Sequence, residues 1–147
     1  MYLCVDPGTT TGFAIFDDDG ALMWIGEKDI SRLEEWLDSL GDNFHIVIIE
    51  EYRLYPHIPQ IYSRIETVQV IGRVKSWAHK RDIRVIEQPA QMKNIGYKFL
   101  GRKKPSRKED THRWDAYAHG AYYLQTRGIR NFVKGQGHEP KESEKSS

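Results

Sequence analysis

The sequence is poor in several features that would restrict its function immediately. Its 147 residues include one cysteine, Cys4, which lies in an apolar run and cannot form a disulfide within the chain. A buried thiol in a reducing compartment is therefore expected. No apolar run approaches the roughly 20 residues of a membrane span, and Asp6 interrupts the apolar segment nearest the N-terminus, which argues against a signal peptide. These absences predict a soluble, cytoplasmic protein.

The sequence also lacks an excess of positive or negative charge. The formal net charge is +1, so no global field attracts a nucleic acid, and any such binding must depend on local clusters of cations. The length suits one domain with a core of its own. We assign this domain to residues 1–133, because residues 134–147 are polar, have no apolar period and are predicted to be a disordered tail.

The stretch from residue 1 to 17 organises the rest of the chain. Tyr2–Val5 and Phe13–Phe16 are predicted strands, and the Pro7–Gly12 segment between them is a turn whose glycines are expected to adopt conformations closed to other residues. Asp6 thus lies at the mouth of a strand. It could hold a metal ion in an accessible cleft, or it could simply cap the turn.

Further elements follow from apolar periodicity. Asp17–Gly20 has the residues of a tight turn, so the three adjacent aspartates are interpreted as a hairpin rather than a metal site. A third strand then completes an antiparallel meander. The later predictions are a loop over Tyr52–Gln60, strands at Ala21–Gly26, His45–Glu51 and Ile83–Ile86, and helices at Ile30–Leu40, Ile61–Arg81 (also a possible dimer face) and Thr111–Gln125.

Two acids end the strand after His45, whose continuous Ile/Val run is typical of a strand buried on both faces. Glu50 and Glu51 must point to opposite sides of the sheet. Only one of them can share a cleft with Asp6, and the sequence leaves open which one. An ordinary polar strand end is the simpler interpretation of either acid alone.

The segment from Lys93 to Lys108 is strongly basic and contains no acid. We interpret it as a loop that contacts a nucleic-acid backbone by neutralising phosphates, with Tyr97 and Phe99 available for base stacking. A solvated loop is the alternative. The cations are Lys93, Lys98, Arg102, Lys103, Lys104, Arg107 and Lys108.

The last helix carries His112 and Asp115 at positions i and i+3, which places them on one face among alanines. A charge pushed toward the sheet is costly without compensation, and a metal ion is the usual compensation. A pair that simply starts the helix is the alternative. His119, one turn further on, is interpreted as a satisfied core histidine or a partner of a ligand rather than a ligand.

Several carboxylates in one cleft repel one another unless cations neutralise them. Oxygen ligands with one imidazole suit Mg²⁺ or Mn²⁺. Two such ions about 4 Å apart can activate a water and stabilise the leaving oxygen of a phosphodiester. The acids and the basic segment together therefore favour metal-dependent hydrolysis of a polyanion.

Four pieces of the sequence, in order, resemble the RuvC family of Holliday-junction resolvases, within the RNase H-like nucleases. The small members encoded by bacteriophages are the most similar, and the resemblance spans nearly the whole compact domain. The pieces are VDPGTTTGFAIF at 5–16, VIIEEY at 47–52, QPAQMK at 88–93 and HRWDAYAHGAYYL at 112–124.

The resemblance implies an α/β fold with a five-stranded mixed sheet flanked by helices. It implies a homodimer that resolves four-way DNA junctions in the cytoplasm of a bacterium or a phage-infected host, through symmetric nicks with 5′-phosphate and 3′-hydroxyl ends. By motif, Asp6 and Glu50 would be the first and second metal ligands, and His112 and Asp115 would complete the site. Lys93 would contact the DNA backbone.

Two departures from the family pattern bear on specificity. Glu51 beside Glu50 leaves the register ambiguous, and the segment after Lys93 lacks the regular Gly-rich pattern, so a broader nuclease for flaps, forks and other branched DNA is the main alternative. The Asp-x-Gly-Thr-Thr and Asp-x-x-Gly pattern also resembles actin-like and sugar-kinase ATPases, but those need two domains. A non-catalytic DNA-binding scaffold would not require clustered acids near phosphates.

Overall fold

A computed structural model describes residues 1–52, 62–106 and 108–132, and the side chains of all of these except 62, 63 and 108–110. The predicted loop at 52–60 and the predicted tail at 134–147 therefore lie almost entirely outside the described residues. None of the helices in the described part of the chain combines the length and the apolar character that crossing a membrane requires.

Five strands form one mixed sheet in the order β3-β2-β1-β4-β5. β1 pairs with β2 and β2 with β3 in antiparallel fashion, whereas β4 is parallel to both β1 and β5. The predicted fold class, an antiparallel meander followed by parallel strands, is confirmed. The strands are β1 Tyr2–Asp6, β2 Thr10–Phe16, β3 Leu22–Asp29, β4 Ile46–Glu50 and β5 Arg84–Gln88.

Helices cover both faces of the sheet. A short 3-10 turn at Ile30–Arg32 leads into the first α-helix, so the predicted helix from residue 30 begins α-helical geometry only at Leu33. The α-helices are α1 Leu33–Ser39, α2 Tyr62–Lys80, α3 Met92–Leu100 and α4 Lys108–Thr126.

Strict alternation along the strands divides the core in two. Leu3 and Val5 of β1 belong to the cluster under α1 and α2, whereas Cys4 belongs to the cluster under α3 and α4. On β4, Ile49 belongs to the first cluster and Ile48 to the second. Because side chains alternate between faces, the residue that ends each of these strands faces α4.

The predicted role of the early glycines is wrong. Neither Gly8 nor Gly12 has a positive φ, and Gly12 lies inside β2 rather than in a turn. What Gly12 supplies is space, since a Cβ there would lie 2.0 Å from the backbone carbonyl of His112. The glycine therefore allows α4 to lie against the sheet at the residue where the predicted site begins.

The basic segment is not a loop throughout, which corrects a second prediction. α3 occupies Met92–Leu100 and ends at Gly101, which adopts the left-handed conformation with φ 66°. Its Gly96 approaches α4 so closely that a Cβ would lie 1.9 Å from the carbonyl oxygen of Ala118. The many lysines and arginines led to the prediction of a loop, although the segment contains a helix whose buried residues, Gly96 and Tyr97, pack on α4.

The acidic turn at Asp17–Gly20 is a hairpin turn, as predicted. Asp17 Oδ1 accepts hydrogen bonds from the backbone N–H groups of Asp19 at 3.0 Å and Ala21 at 2.8 Å. Gly20 has φ 84°, which suits glycine. This carboxylate is used within its own turn.

Candidate active site

The ends of β1 and β4 and the first turns of α4 meet at one edge of the sheet. Asp6 ends β1 and Glu50 ends β4, and because these strands are parallel neighbours their final residues lie side by side. His112 and Asp115 approach from α4, which packs on β1 and β2. All four line one open cleft of about 560 Å³.

Asp6 and His112 form a direct pair, with Nδ1 of the histidine 2.8 Å from Oδ2 of the aspartate. Burial raises the pKa of the Asp6 carboxyl to about 6, and the charges of Glu50 and Asp115 add to the rise against the hydrogen bond from His112. The same hydrogen bond raises the pKa of His112, against the effect of burial. Asp6 is therefore a buried acid in need of positive charge.

Glu50 is held differently. Its Oε1 accepts hydrogen bonds from Lys93 Nζ at 3.0 Å and from His119 Nε2 at 3.0 Å. Burial alone would raise the pKa of Glu50, but the hydrogen bond from His119 and the charge of Lys93 outweigh it and lower this pKa to about 2. Glu50 is thus an ionised carboxylate fixed by two donors.

Asp115 lies at the centre of the arrangement and is 4% exposed. The hydroxyl of Tyr97 donates a hydrogen bond to its Oδ1 at 2.7 Å. The ammonium groups of Lys93 and Lys104 lie 3.4 and 3.5 Å from its Oδ2. Burial and this hydrogen bond to Asp115 raise the pKa of Tyr97, which keeps its hydroxyl a donor.

The register ambiguity between Glu50 and Glu51 resolves geometrically in favour of Glu50 as the neighbour of Asp6. Glu50 lines the cleft, and Glu51 is not among the described residues that do. Glu51 instead donates its backbone N–H to the carbonyl of Gln88 at 2.7 Å. Glu87 directly precedes Gln88 on β5, so its side chain points to the opposite face of the sheet, where it pairs with Lys75 on α2.

The predicted DNA-contacting cations lie in different surroundings. Lys93 and Lys104 are directed at the carboxylates, and Lys98 and Lys103 are exposed. The guanidinium of Arg102 stacks over Trp114 at 3.6 Å. Arg107 lies outside the described residues, as does the side chain of Lys108.

Tyr97 corrects the stacking prediction. It is 4% exposed and its hydroxyl is committed to Asp115, so it cannot stack on a base without leaving the core. Phe99, which is half-buried, is the other aromatic side chain of that prediction. Tyr97 therefore contacts a candidate site acid, Asp115, and offers no free surface for stacking.

His119, Gln88 and Tyr97 lie beside the candidate site residues, and the sequence pattern did not fully predict their positions. His119 is completely buried, and its interpretation as a satisfied histidine agrees with its contacts, since Nδ1 lies 2.8 Å from Gln88 Oε1 and Nε2 reaches Glu50. In the sequence, Gln88 is singled out only as the first residue of the piece QPAQMK at 88–93. The spacing of His119 four residues after Asp115 was the available signal, because i and i+4 share a helix face.

The donor set matches a hard divalent cation. Three carboxylates and one imidazole lie around one open cleft, and oxygen-rich sites of this kind suit Mg²⁺ or Mn²⁺. As they stand, no three His, Cys, Asp or Glu side chains in the described ranges are placed to hold one ion. Lys93 and Lys104 supply the positive charge between the carboxylates instead. The chemistry of the residues fits a metal, with these ammonium groups as its competitors.

Comparison with known proteins gives a likeness in structure alone. No family model matches the sequence, and no curated protein matches it. RuvC from T. thermophilus in complex with a Holliday-junction substrate superposes with a TM-score of 0.62 at 18% identity, covering 86% of this chain and 95% of that one. A second T. thermophilus RuvC structure gives 0.58 at 14% identity, covering 87% and 96%.

These similarities define the class of fold. The five-stranded mixed sheet with flanking helices is the RNase H-like fold. Within that class, the arrangement is the RuvC fold, over 86–87% of this chain and 95–96% of the RuvC chains.

Proposed function

We propose that this protein is a divalent-metal-dependent DNA endonuclease that resolves four-way junctions by paired phosphodiester hydrolysis, leaving 5′-phosphate and 3′-hydroxyl ends. The observation that carries the proposal is that Asp6, Glu50, His112 and Asp115, separated by up to 109 residues in sequence, line a single open cleft on a RuvC fold. Such a protein would act in the cytoplasm of a bacterium or of a phage-infected cell.

The residues of the cleft divide the chemistry. Asp6, Glu50, His112 and Asp115 would hold Mg²⁺ or Mn²⁺, with two ions in each site. When bound, such ions supply the charge that activates a water and stabilises the leaving oxygen of a phosphodiester. The chain itself supplies orientation, because Tyr97 fixes one oxygen of Asp115 and His112 fixes one oxygen of Asp6.

Lys93 and Lys104 have a double role in this proposal. In the structure each ammonium group lies within 3.5 Å of an Asp115 oxygen. With a metal held by Asp115 and the other carboxylates, the ammonium groups of Lys93 and Lys104 would be available to bind a phosphate. Their position at the cleft, with exposed Lys98 and Lys103 nearby, supports binding of a polyanion beside the acids.

The choice of a four-way junction rests on the similarity to a RuvC that is bound to a Holliday-junction substrate. The residues that line the cleft are those needed for hydrolysis of a phosphodiester in any branched form. A broader debranching nuclease for flaps and forks would use the same residues, and the substrate panel described below separates the two functions.

Paired cuts require two sites, which leads us to propose a homodimer through α2. Ile65 and Val68 are 46% and 40% exposed on this helix, and an added Cβ at Gly72 would meet nothing within 4 Å. We expect Ile65→Lys combined with Val68→Lys to convert a dimer to a monomer in sedimentation-velocity measurements. Met23→Lys is the matched control, since Met23 is 58% exposed on the edge strand β3. A monomeric wild type, or a double variant that still dimerises, would contradict this interface.

A nicking assay tests the proposed activity. Purified protein is incubated with a four-way junction, a flap, a fork and a linear duplex, each with Mg²⁺, Mn²⁺ or EDTA. Paired nicks confined to the junction, dependent on metal and lost on Asp6→Asn, are expected. Asp6→Asn should bind the junction at least as tightly as the wild type, because a negative charge near the phosphates is removed.

Each other outcome has a definite meaning. Cleavage of every branched form would replace the junction resolvase with a debranching nuclease. Cleavage that survives Asp6→Asn would refute the assigned site, and cleavage in EDTA would refute the metal dependence. The absence of cleavage with either metal would overturn the proposed function, and ATP binding would then be measured.

A further inference from the structure

Beneath Glu50, a buried chain of hydrogen bonds links this proposed ligand to His119 and Gln88, and metal binding by the proposed ligands does not by itself require it. His119 is completely buried on α4, yet both of its ring nitrogens face polar side chains at hydrogen-bonding distance: Gln88 Oε1 at 2.8 Å and Glu50 Oε1 at 3.0 Å. Gln88 is itself 5% exposed. A buried polar chain of this kind is costly unless every member is satisfied, so its presence requires a reason.

The surroundings of Glu50 indicate the direction of its hydrogen bond with His119. A carboxylate oxygen that already lies 3.0 Å from the ammonium group of Lys93 acts as an acceptor, so Nε2 of His119 is assigned as the donor. The other nitrogen either donates to the Gln88 oxygen from a doubly protonated ring or accepts from the Gln88 NH₂ group after a half turn of the amide. In both cases Gln88 holds the ring so that Nε2–H is aimed at Glu50.

The sheet sets this alignment. Glu50 and Gln88 are register partners at the ends of the parallel strands β4 and β5, so their side chains stand on the same face beneath α4. His119 reaches both from above. Three separate elements therefore have to be correctly packed before Glu50 Oε1 receives this hydrogen bond.

Both hydrogen bonds that Glu50 accepts from described side chains reach the same oxygen. Lys93 Nζ and His119 Nε2 each lie 3.0 Å from Oε1. Lys93 is on the cleft side and is 17% exposed, whereas His119 is fully enclosed. A cation that enters the cleft can displace the lysine, but it cannot displace the histidine without disrupting the core.

From this geometry we infer that His119, anchored by Gln88, is a positioning residue that fixes Oε1 of Glu50 and so presents Oε2 to a divalent cation. The inference rests on the proposed function and deepens it. Partners that hydrogen-bond a ligating carboxylate fix its orientation, and their loss typically weakens metal affinity by about 10- to 100-fold. His119 itself touches neither metal nor DNA in this arrangement.

The test measures Mn²⁺ affinity of the whole protein by isothermal titration calorimetry without DNA. We expect His119→Leu, which removes the donor, to weaken Mn²⁺ binding by about 10- to 100-fold, and His119→Gln, whose amide supplies a donor near the position of Nε2, to recover part of the loss. Gln88→Leu leaves His119 in place without its anchor and is expected to weaken binding severalfold. Ile48→Val is the matched control, since Ile48 is buried on β4 two residues before Glu50 and facing the same side.

A second readout uses the cleavage assay. A positioning role raises the Mg²⁺ concentration at half-maximal rate in His119→Leu, while excess Mg²⁺ restores much of the maximal rate. Junction affinity measured in EDTA stays at the wild-type value. A folding defect would instead lower the amount of active protein at every Mg²⁺ concentration.

The outcomes separate this inference from the function on which it rests. If the wild type binds Mn²⁺ no better than Asp6→Asn does, both the metal site and the role of His119 are refuted. If Asp6→Asn weakens binding and folded His119→Leu does not, only the role of His119 is refuted. If His119→Leu does not fold, an unchanged Mn²⁺ affinity in both Gln88→Leu and His119→Gln refutes the role of His119. A loss of Mn²⁺ affinity in Ile48→Val equal to that in His119→Leu also refutes this role.

Discussion

The two faces of the sheet are built from the same strands yet carry different kinds of side chain. The face under α1 and α2 is filled by apolar side chains, among them Leu3, Val5 and Ile49. The face under α3 and α4 has an apolar cluster of its own around Cys4 and Ile48, but where β1 and β4 end it carries carboxylates. One residue of displacement along either strand moves a side chain from one face to the other.

The comparison shows how a core can support a charged site. On the α4 face the buried acids are never left alone: Asp6 has His112, Glu50 has His119 and Lys93, and Asp115 has Tyr97. Buried charges persist only when such partners accompany them. The core cluster under α1 and α2 is apolar, and this face therefore provides the matched controls for the predictions below.

The largest expected effect distinguishes two adjacent glutamates. Glu50→Gln removes a proposed metal ligand and should lower the rate of junction cleavage by about a thousandfold, equivalent to about 4 kcal/mol of transition-state stabilisation. Glu51→Gln should leave the rate within a factor of about three, since Glu51 does not line the cleft. Single-turnover kinetics at saturating Mg²⁺ measures both. A greater loss in Glu51→Gln would shift the site by one residue.

The next effect concerns the packing of a helix on each face. Gly12→Ala would place a Cβ 2.0 Å from the His112 carbonyl and should lower the free energy of unfolding by about 3 kcal/mol. Gly72→Ala on α2 meets open space and should raise it by about 1 kcal/mol through helix propensity. Urea unfolding at several protein concentrations separates stability from dimerisation. Equal effects of the two changes would show that α4 is not tightly seated on β2.

The smallest effect concerns DNA affinity. Lys103→Glu should weaken junction binding several-fold and reduce the slope of log Kobs against log salt by about 0.9, the value for one phosphate contact. Lys80→Glu, an exposed lysine at the end of α2, should change neither quantity. Fluorescence anisotropy across a salt series, in EDTA to prevent cleavage, provides the measurement. Equal slopes for the two variants would make the segment after α3 a solvated connector.

The sequence predicted most of the architecture because its apolar patterns are strong. The three strands of the meander, the buried strand β4 and the helices α2 and α4 all appear near their predicted positions. Strand ends were less accurate: β3 continues through Glu27 and Lys28 to Asp29, past the predicted Gly26. In the sequence, Glu27 and Lys28 interrupt the apolar pattern, so the predicted strand ends before them. In the sheet both side chains are largely buried.

The missed helix α3 has the same cause. Its lysines dominated the pattern, so the segment was interpreted as a loop, although Gly96 and Tyr97 are buried against α4 and Gly101 provides a helix C-terminus. Tyr97 was assigned to DNA for the same reason. Whether Tyr97 faces the core or the solvent depends on the helix that carries it, so its contact could not be predicted while α3 was interpreted as a loop.

Residue type and order by themselves determined the fold class and the set of acids, because a strand that ends in a carboxylate places it at the sheet edge whatever surrounds it. Tertiary structure alone decided which carboxylate shares the cleft and what holds each one. Glu50 rather than Glu51 faces α4, His119 and Gln88 meet only through the pairing of β4 with β5, and Lys93 reaches two carboxylates from α3. These contacts join residues far apart in the chain, and a local pattern cannot specify distances that only packing fixes.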